Sequence, residues 1–294
     1  MNNSNIVLFM THFISEKILT DFKQLAAELP SDYDIIILYD NTTESFDVSR
    51  YSECFKYFLF KEENIKNFRF PVKNYIHPGK IFPMDVDYVF LDFYYNYPEY
   101  KYYWVIEYDV AYSGHWGDFF NKFSESNSDL LATNIHRHAV FPEWPMWKTL
   151  RTPDDVQVSK ENWIRAFFPL CRFSNRALQS IDNAYKNGWA GHYEVSIGTI
   201  LNHEGLNIED FGGKGEFVKS GNENKHYTST VNNKFLSPGS FVYRPIMHSV
   251  GKQKNLLWHP VKERDILGFL QKLITPIYWK KLYWEWCAAK KIKT

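Results

Sequence analysis

The feature that most constrains the fold is an aromatic and β-branched run that ends on two acids. Residues 102–109 read Tyr-Tyr-Trp-Val-Ile-Glu-Tyr-Asp, which places Glu107 and Asp109 one residue apart. Such a run is typical of a buried strand, and on a strand these two side chains would share a face, with Cα atoms about 7 Å apart. Buried carboxylates without partners are costly, and Mg²⁺ or Mn²⁺ binds carboxylate together with phosphate oxygens. The run therefore favours a metal site; the alternative is that the acids face water or pair with Lys or Arg.

The N-terminal region predicts the layers around this strand. Residues 5–10 are an apolar run, Ser15 can cap a helix with apolar residues at helical spacing over 18–29, and residues 33–39 are a second apolar run. A strand–helix–strand opening is typical of an α/β fold. We therefore predict a mixed, mainly parallel sheet that is flanked by helices.

Polar residues stand where such a sheet would bind a ligand. Ligands of open α/β sheets bind beyond the carboxyl ends of the strands. A helix is also predicted over residues 84–95, just before the acidic strand. The candidate nucleotide contacts are Thr11, His12 and Asp40 at the strand ends, with Lys80 and Asp85 before and within that helix.

The order of these elements, with Glu107-Tyr108-Asp109 at the end of the third strand, resembles the GT-A fold of glycosyltransferases. Members of that family carry an Asp-x-Asp-like motif at this place; here Glu takes the first position. The motif binds a divalent metal and the diphosphate of a nucleotide sugar. The resemblance implies that Asp109 is a direct metal ligand and that Glu107 contacts the sugar, the ribose or the metal. It also implies Mn²⁺ or Mg²⁺ as cofactor and a nucleotide-diphosphate sugar as donor.

A glycine-rich turn over residues 188–192 opens a later predicted helix, and Glu194 falls in its first turn. A carboxylate there gains about 0.3–1 kcal/mol from the helix dipole, which is a sufficient structural explanation. The resemblance implies another role, because inverting members place an acid at the start of the corresponding helix. Glu194 would then be the general base, with His192 as a weaker candidate.

A strand predicted over residues 241–245 leads into a segment with a His and a Lys four residues apart. In the GT-A family a late His often completes the metal shell, and basic residues contact the diphosphate. The resemblance therefore implies His248 as a metal ligand and Lys252 as a phosphate contact. His259 is the competing candidate for the ligand.

Composition excludes some classes of protein. The formal net charge of the 294 residues is zero, which gives no reason to expect a nucleic-acid partner. The three cysteines are widely spaced and fit neither a metal motif nor a disulfide framework, which favours a reducing compartment. No signal peptide or membrane-spanning run is apparent, and we predict a cytoplasmic protein.

The last 33 residues differ in character from the rest. We predict a catalytic domain over residues 1–261 and an amphipathic helical tail over 262–294, in which aromatic residues alternate with lysines. A basic aromatic helix suits the surface of an anionic membrane, on whose inner face the protein would be peripheral. The alternative is packing on the domain or on a second subunit.

Together with the resemblance, these features predict a metal-dependent glycosyltransferase of the hexosyltransferase type. The assignment of Glu194 as base implies inversion at the anomeric carbon; without that assignment, retention stays open. The resemblance places it in bacterial surface-polysaccharide assembly, with a saccharide or glycolipid as acceptor. The Trp-rich segment 141–147 suits an acceptor platform. Two other classes stay open: a metal-dependent phosphoesterase with two ions, and a non-catalytic glycan-binding protein that uses its Trp-rich loops.

Overall fold

The structure is a computed structural model, and it describes residues 4–42, 55–73, 85–230 and 238–264. Its strands are β1 (Asn5–Thr11), β2 (Tyr33–Asp40), β3 (Tyr57–Phe60), β4 (Tyr102–Glu107), β5 (Ala111–Tyr112), β6 (Leu130–Arg137), β7 (Ile164–Ser174), β8 (Ile208–Asp210) and β9 (Leu257–Trp258). Its α-helices are α1 (Glu16–Glu28), α2 (Asp87–Asn96), α3 (Trp116–Lys122), α4 (Asn175–Lys186) and α5 (Tyr193–His203). Short 3₁₀ helices lie at Glu62–Asn67, His138–Val140, Pro145–Thr149 and Lys160–Asn162.

Seven of the strands form one sheet in the order β3-β2-β1-β4-β7-β6-β8. All of its neighbours pair in parallel except at β7, which is antiparallel to both β4 and β6. The predicted α/β class, with a mixed and mainly parallel sheet, is therefore confirmed. The carboxyl ends of six strands meet the start of β7 at one edge of the sheet.

Two apolar layers cover the sheet, one on each face. Alternate residues of β1 enter opposite layers: Leu8 packs with residues of α2, α4 and α5, whereas Phe9 packs with residues of α1 and α3. This alternation follows from the two-residue repeat of a strand. The helices are held in place by burial of their apolar sides, as predicted for a sheet flanked on both faces.

The helix start that the sequence predicts at Ser15 is confirmed, and a second serine, Ser174, caps α4 in the same way. The Ser15 hydroxyl accepts a hydrogen bond from the Ile18 N–H at 3.3 Å at the start of α1. The Ser174 hydroxyl accepts one from the Ala177 N–H at 3.1 Å at the start of α4. A hydroxyl at this position satisfies a donor that the helix itself leaves unpaired.

Two predicted strands differ from the structure. The acidic strand ends at Glu107, and the Val110 N–H donates to the Glu107 carbonyl at 3.0 Å, so that Asp109 lies in a turn beyond the strand. The strand predicted over residues 241–245 is wrong, because this segment makes only the single bridge between Phe241 and His259. Pro245 has no N–H for a ladder, and the chain bends there.

The predicted tail falls almost wholly outside the described residues, which end at 264, so the division into two domains stays a prediction. Within the parts of the chain that the structure describes, no helix combines the length and the apolar character needed to cross a bilayer.

Candidate functional site

The candidate site lies at the carboxyl end of β4, where the two acids meet a histidine. The His259 Nε2 atom is 3.4 Å from Asp109 Oδ1 and 4.0 Å from Glu107 Oε2. The side chain of Asp109 is 5% exposed and that of Glu107 is 24% exposed, so the site opens to solvent on the Glu107 side. The turn after β4 is what brings Asp109 back toward Glu107.

His259 is oriented by its backbone surroundings. It directly follows β9, which pairs with β5, the strand just beyond the acidic turn. Its Nδ1 lies 2.8 Å from the Val242 carbonyl oxygen, so Nδ1 donates a proton there and Nε2 is presented to the acids. A ligating histidine usually donates its second ring N–H in this way.

Lys262 occupies the other side of Asp109. Its Nζ is 3.1 Å from Asp109 Oδ2 and 3.0 Å from the Tyr108 hydroxyl, and the side chain is 38% exposed. Asp109 Oδ1, by contrast, is buried and receives no hydrogen bond. One carboxylate oxygen of Asp109 is thus paired with a lysine. This agrees in part with the alternative left open by the sequence, in which the acids pair with Lys or Arg. Among the described residues, Glu107 has no Lys or Arg nitrogen within 4.0 Å.

The pKa values of the two acids are shifted in opposite directions. Burial and the charge of Asp109 raise the pKa of Glu107 to about 7. Burial alone would also raise the pKa of Asp109, but the charges of His259 and Lys262 outweigh it and lower that pKa to about 2. Burial would lower the pKa of His259, and the two carboxylates raise it instead. In the apo site, the ionised form of Glu107 is therefore disfavoured, whereas the ionised form of Asp109 is stabilised by His259 and Lys262.

The three side chains fit a divalent cation. Their ligand atoms lie within 4.8 Å of one another. Ligand atoms around one octahedral ion at about 2.1 Å are about 3–4 Å apart, so a small inward movement would suffice. Asp109 Oδ1 is buried, and it lies 3.4 Å from the Nε2 of the oriented imidazole, so both atoms face the same point. The two carboxylates suit Mn²⁺ or Mg²⁺, and the imidazole, which is a ligand of transition metals, favours Mn²⁺ of the two.

Glu194 lies near this cluster, in the first turn of α5 as predicted. It is close enough to raise the pKa of Glu107. Its Oε2 is 3.2 Å from Arg165 Nε, and both side chains are largely buried. Burial raises the pKa of Glu194, and the Arg165 charge opposes this shift. The His192 ring caps the helix by accepting from the Glu194 N–H at 3.2 Å.

An indole lies beside Glu194. The Arg165 guanidinium carbon is 4.4 Å from the ring centre of Trp144, and the His192 ring is 5.9 Å from it. Trp144 belongs to the Trp-rich segment that we associated with an acceptor. The structure therefore brings this part of the segment next to the predicted base, whereas the side chain of Trp147 is buried in the core.

Three predicted nucleotide contacts lie at the expected edge of the sheet but make local contacts. The Thr11 hydroxyl bonds within its own turn, to the Phe13 carbonyl at 2.6 Å. Asp40 Oδ1 accepts from the Thr42 N–H at 3.0 Å. The His12 ring packs against the Tyr108 ring with centres 5.4 Å apart, which places it beside the acidic turn.

The remaining predicted contacts are not brought to the cluster. Asp85 is buried in an ion pair with Lys73 at 2.8 Å, which gives it a structural partner. His248 and Lys252 are on the surface, and His248 Nδ1 lies 2.9 Å from the Lys262 carbonyl oxygen. His259, the competing candidate, takes the place beside the acids. Lys80 lies outside the described residues.

Two residues of the site were missed by reasoning from the sequence. Lys262 was assigned to the tail, although it follows His259 by three residues and could have been paired with it. Arg165 lies at the start of β7, and nothing local links it to Glu194, which is 29 positions away. Only the antiparallel direction of β7 brings Arg165 to this edge.

No family model and no curated protein matches this chain. Among solved structures, it is similar to the galactosyltransferase LgtC in complex with donor and acceptor sugar analogues, at 10% identity and a TM-score of 0.38, over 70% of this chain and 72% of that one.

Two further solved structures show similarity of the same order. The WbbM bifunctional glycosyltransferase has 11% identity and a TM-score of 0.36 over 69% of this chain, and the match spans 37% of WbbM. The inositol-1-phosphate CTP transferase from T. maritima has 7% identity and a TM-score of 0.36, over 72% and 87% of the two chains. Glycosyltransferases are the class that the sequence resemblance indicated, but likenesses this distant assign no activity to the chain.

Proposed function

We propose that this protein is a metal-dependent glycosyltransferase that moves a sugar from a nucleotide-diphosphate sugar to a saccharide or glycolipid acceptor. The observation that carries the proposal is the convergence of Glu107, Asp109 and His259 at the end of β4, with Glu194 on the same side. The ionised form of Glu107 is unfavourable in the apo site, as its raised pKa shows, and a bound divalent cation would stabilise that form.

Each of these side chains has a role in the proposed reaction. Asp109, His259 and Glu107 would hold Mn²⁺ or Mg²⁺, which would supply positive charge for the diphosphate leaving group. Lys262 is 3.1 Å from Asp109 and 38% exposed, which suits a second positive charge facing the phosphates. His259 keeps its orientation through the bond from Nδ1 to the Val242 carbonyl.

Glu194 is the proposed general base. It takes the proton of the acceptor hydroxyl while that oxygen forms a bond to the anomeric carbon and the bond from this carbon to the diphosphate breaks. A single displacement of this kind inverts the configuration. The raised pKa of Glu194, which burial causes, favours proton uptake, and Arg165 fixes the carboxylate. Trp144 beside Arg165 offers an aromatic surface for the acceptor ring.

The first experiment is a thermal-shift and calorimetric screen of nucleoside diphosphates with Mn²⁺, with and without a chelator. We expect one nucleoside diphosphate to stabilise the protein only when metal is present, and Asp109→Ala to abolish this effect. Asp118→Ala is a matched control, because Asp118 is an exposed acid on α3. Stabilisation that is indifferent to the chelator and to Asp109→Ala would refute the metal site.

The second experiment tests the base. In a transfer assay with the donor found by the screen, we expect Glu194→Gln to lower kcat about 10²–10⁴-fold while nucleotide binding is retained. Glu204→Gln, at the exposed end of the same helix, is the control. Undiminished turnover of Glu194→Gln would remove Glu194 from the mechanism.

The Lys262–Asp109 contact favours a second candidate, which is transfer without a metal. In that case His259 and Lys262 would themselves face the diphosphate as the positive groups. The screen separates the two: nucleotide binding that survives chelation and is lost in Lys262→Met supports the metal-free form. A two-ion phosphoesterase is less well supported, since one group of three potential metal ligands was found among the described residues.

A further inference from the structure

Large apolar side chains are concentrated on one exposed segment. Among the described residues, the large apolar side chains that are exposed belong to Tyr97 (42%), Val140 (50%), Tyr243 (54%), Ile246 (44%) and Val250 (39%). Three of the five fall within eight consecutive positions. Isolated exposed apolar residues are ordinary, but a group of them marks an interaction surface.

The same segment is positively charged. The sequence from 224 to 262 contains no Asp or Glu. Three basic residues stand within or just after the apolar group: Arg244, Lys252 and Lys254. We refer to residues 243–254 as the basic apolar loop. A surface that combines exposed apolar groups with cations is suited to a partner that has an anionic surface and an apolar interior.

The basic apolar loop is held in place by the body of the protein. The Met247 N–H donates to the Pro260 carbonyl and the Lys262 N–H to the Met247 carbonyl, both at 2.8 Å. The Ser113 hydroxyl donates to the Gln253 carbonyl at 2.7 Å. The first two bonds fix the loop to the segment that carries His259, and the third fixes it to the residue after β5. Its apolar side chains are therefore presented to solvent by an anchored backbone.

We propose that the basic apolar loop docks on a bilayer that contains anionic lipids. The headgroup region would receive the side chains of Tyr243, Ile246 and Val250. A tyrosine ring, which is apolar with a polar hydroxyl, is stable at the boundary between water and hydrocarbon. The lysines and the arginine would contact lipid phosphates, an attraction that decays within a Debye length of the surface. The membrane would then lie beside the opening of the candidate site.

The alternative occupant of this loop is the C-terminal segment of the same chain. Residues 265–294 carry six lysines and two acids, Asp265 and Glu285. Two basic segments repel each other, whereas both are attracted to an anionic surface. Charge complementarity therefore favours a lipid surface over the tail as the partner of the loop. This inference goes beyond the proposed transfer reaction and does not require it.

The test measures partition of the full-length protein onto vesicles of phosphatidylcholine alone or with phosphatidylglycerol, in the presence of a chelator. The loop variant carries Tyr243→Ser, Ile246→Ser and Val250→Ser. The control variant carries Tyr97→Ser and Val140→Ser, which remove side chains of similar exposure elsewhere. We expect the partition coefficient on anionic vesicles to fall about tenfold or more in the loop variant and to stay unchanged in the control.

Raised salt, or Arg244→Gln with Lys252→Gln and Lys254→Gln, should weaken binding to anionic vesicles selectively. Equal binding of the wild type and the loop variant to anionic vesicles would overturn the proposal. So would a wild type that does not bind anionic vesicles. If the loop variant fails to fold, the single exchange Ile246→Ser gives the same comparison. The nucleotide thermal shift is measured in parallel, so that a failure of the proposed function is seen separately from a failure of membrane docking.

Discussion

Replacing Glu107 by glutamine should make the metal-free protein more stable at neutral and alkaline pH. The change removes one charge and keeps the shape of the side chain. In the folded protein, burial and the nearby Asp109 charge raise the pKa of Glu107 from its ordinary 4.5 to about 7. An ionised Glu107 is therefore tolerated better in the unfolded chain than in the folded one.

The size of the effect follows from this difference. At 1.36 kcal/mol for each pKa unit, keeping Glu107 ionised in the folded protein costs about 3 kcal/mol. Because the folded pKa is the higher one, the native state binds more protons between pH 4.5 and pH 7. The wild type should therefore lose stability as pH rises through this window. At pH 4 the side chain is mostly neutral in both states, and the advantage of Glu107→Gln should nearly vanish.

Urea unfolding at pH 4 and pH 8, in the presence of a chelator, measures the free energy of unfolding of both proteins. We expect the variant to be more stable by about 3 kcal/mol at pH 8 and nearly equal at pH 4. An equal difference at both pH values, or a less stable variant at pH 8, would refute the electrostatic reasoning. Saturating Mn²⁺ with the nucleoside diphosphate from the screen should stabilise the wild type and leave the variant unchanged.

Three other predictions concern particular side chains. Asp109→Asn should destabilise the apo protein at pH 7 by about 2 kcal/mol in the same urea series, because the folded pKa of about 2 lies below the ordinary 3.8 and this stability is lost only as pH falls through about 2. Arg172→Leu should lower the free energy of unfolding by about 3 kcal/mol or more, since the buried guanidinium donates to three backbone carbonyls within residues 123–128; a Tm equal to wild type would contradict this. Gly198→Ala should cost about 1–3 kcal/mol, because its new Cβ would lie 2.9 Å from both the Cγ2 and the carbonyl oxygen of Ile164, and circular-dichroism melts would show the loss.

Local patterns were enough to predict much of the fold. The apolar runs predicted the strands, Ser15 predicted the start of α1, and the order of elements predicted a mainly parallel sheet. These features depend on neighbours in the chain, which a sequence displays directly. The acidic pair and the position of Glu194 in the first turn of α5 were found for the same reason.

The rest of the site depends on distant contacts. His259, rather than His248, lies beside the acids because β9 pairs with β5 and because Phe241 forms a bridge with His259. No local spacing in the sequence reveals these contacts. The direction of β7 likewise decides that Arg165 meets Glu194. Sequence patterns predict which elements form, whereas the register between remote segments decides which of two similar residues faces the acids.

The reversal of β7 also has a consequence for how this architecture can vary. Since β6 ends and β7 begins at the same edge, with Arg137 opposite Ile164, the intervening residues 138–163 leave and re-enter the sheet at one place. Such an excursion can change in length without shifting the register of either strand, provided that Trp147 keeps its place in the core. The part of the rim that carries Trp144 is therefore open to diversification, while the end of β4 stays as it is. Grafted versions of this excursion would change the surface beside Arg165 and Glu194 while Glu107 and Asp109 keep their positions.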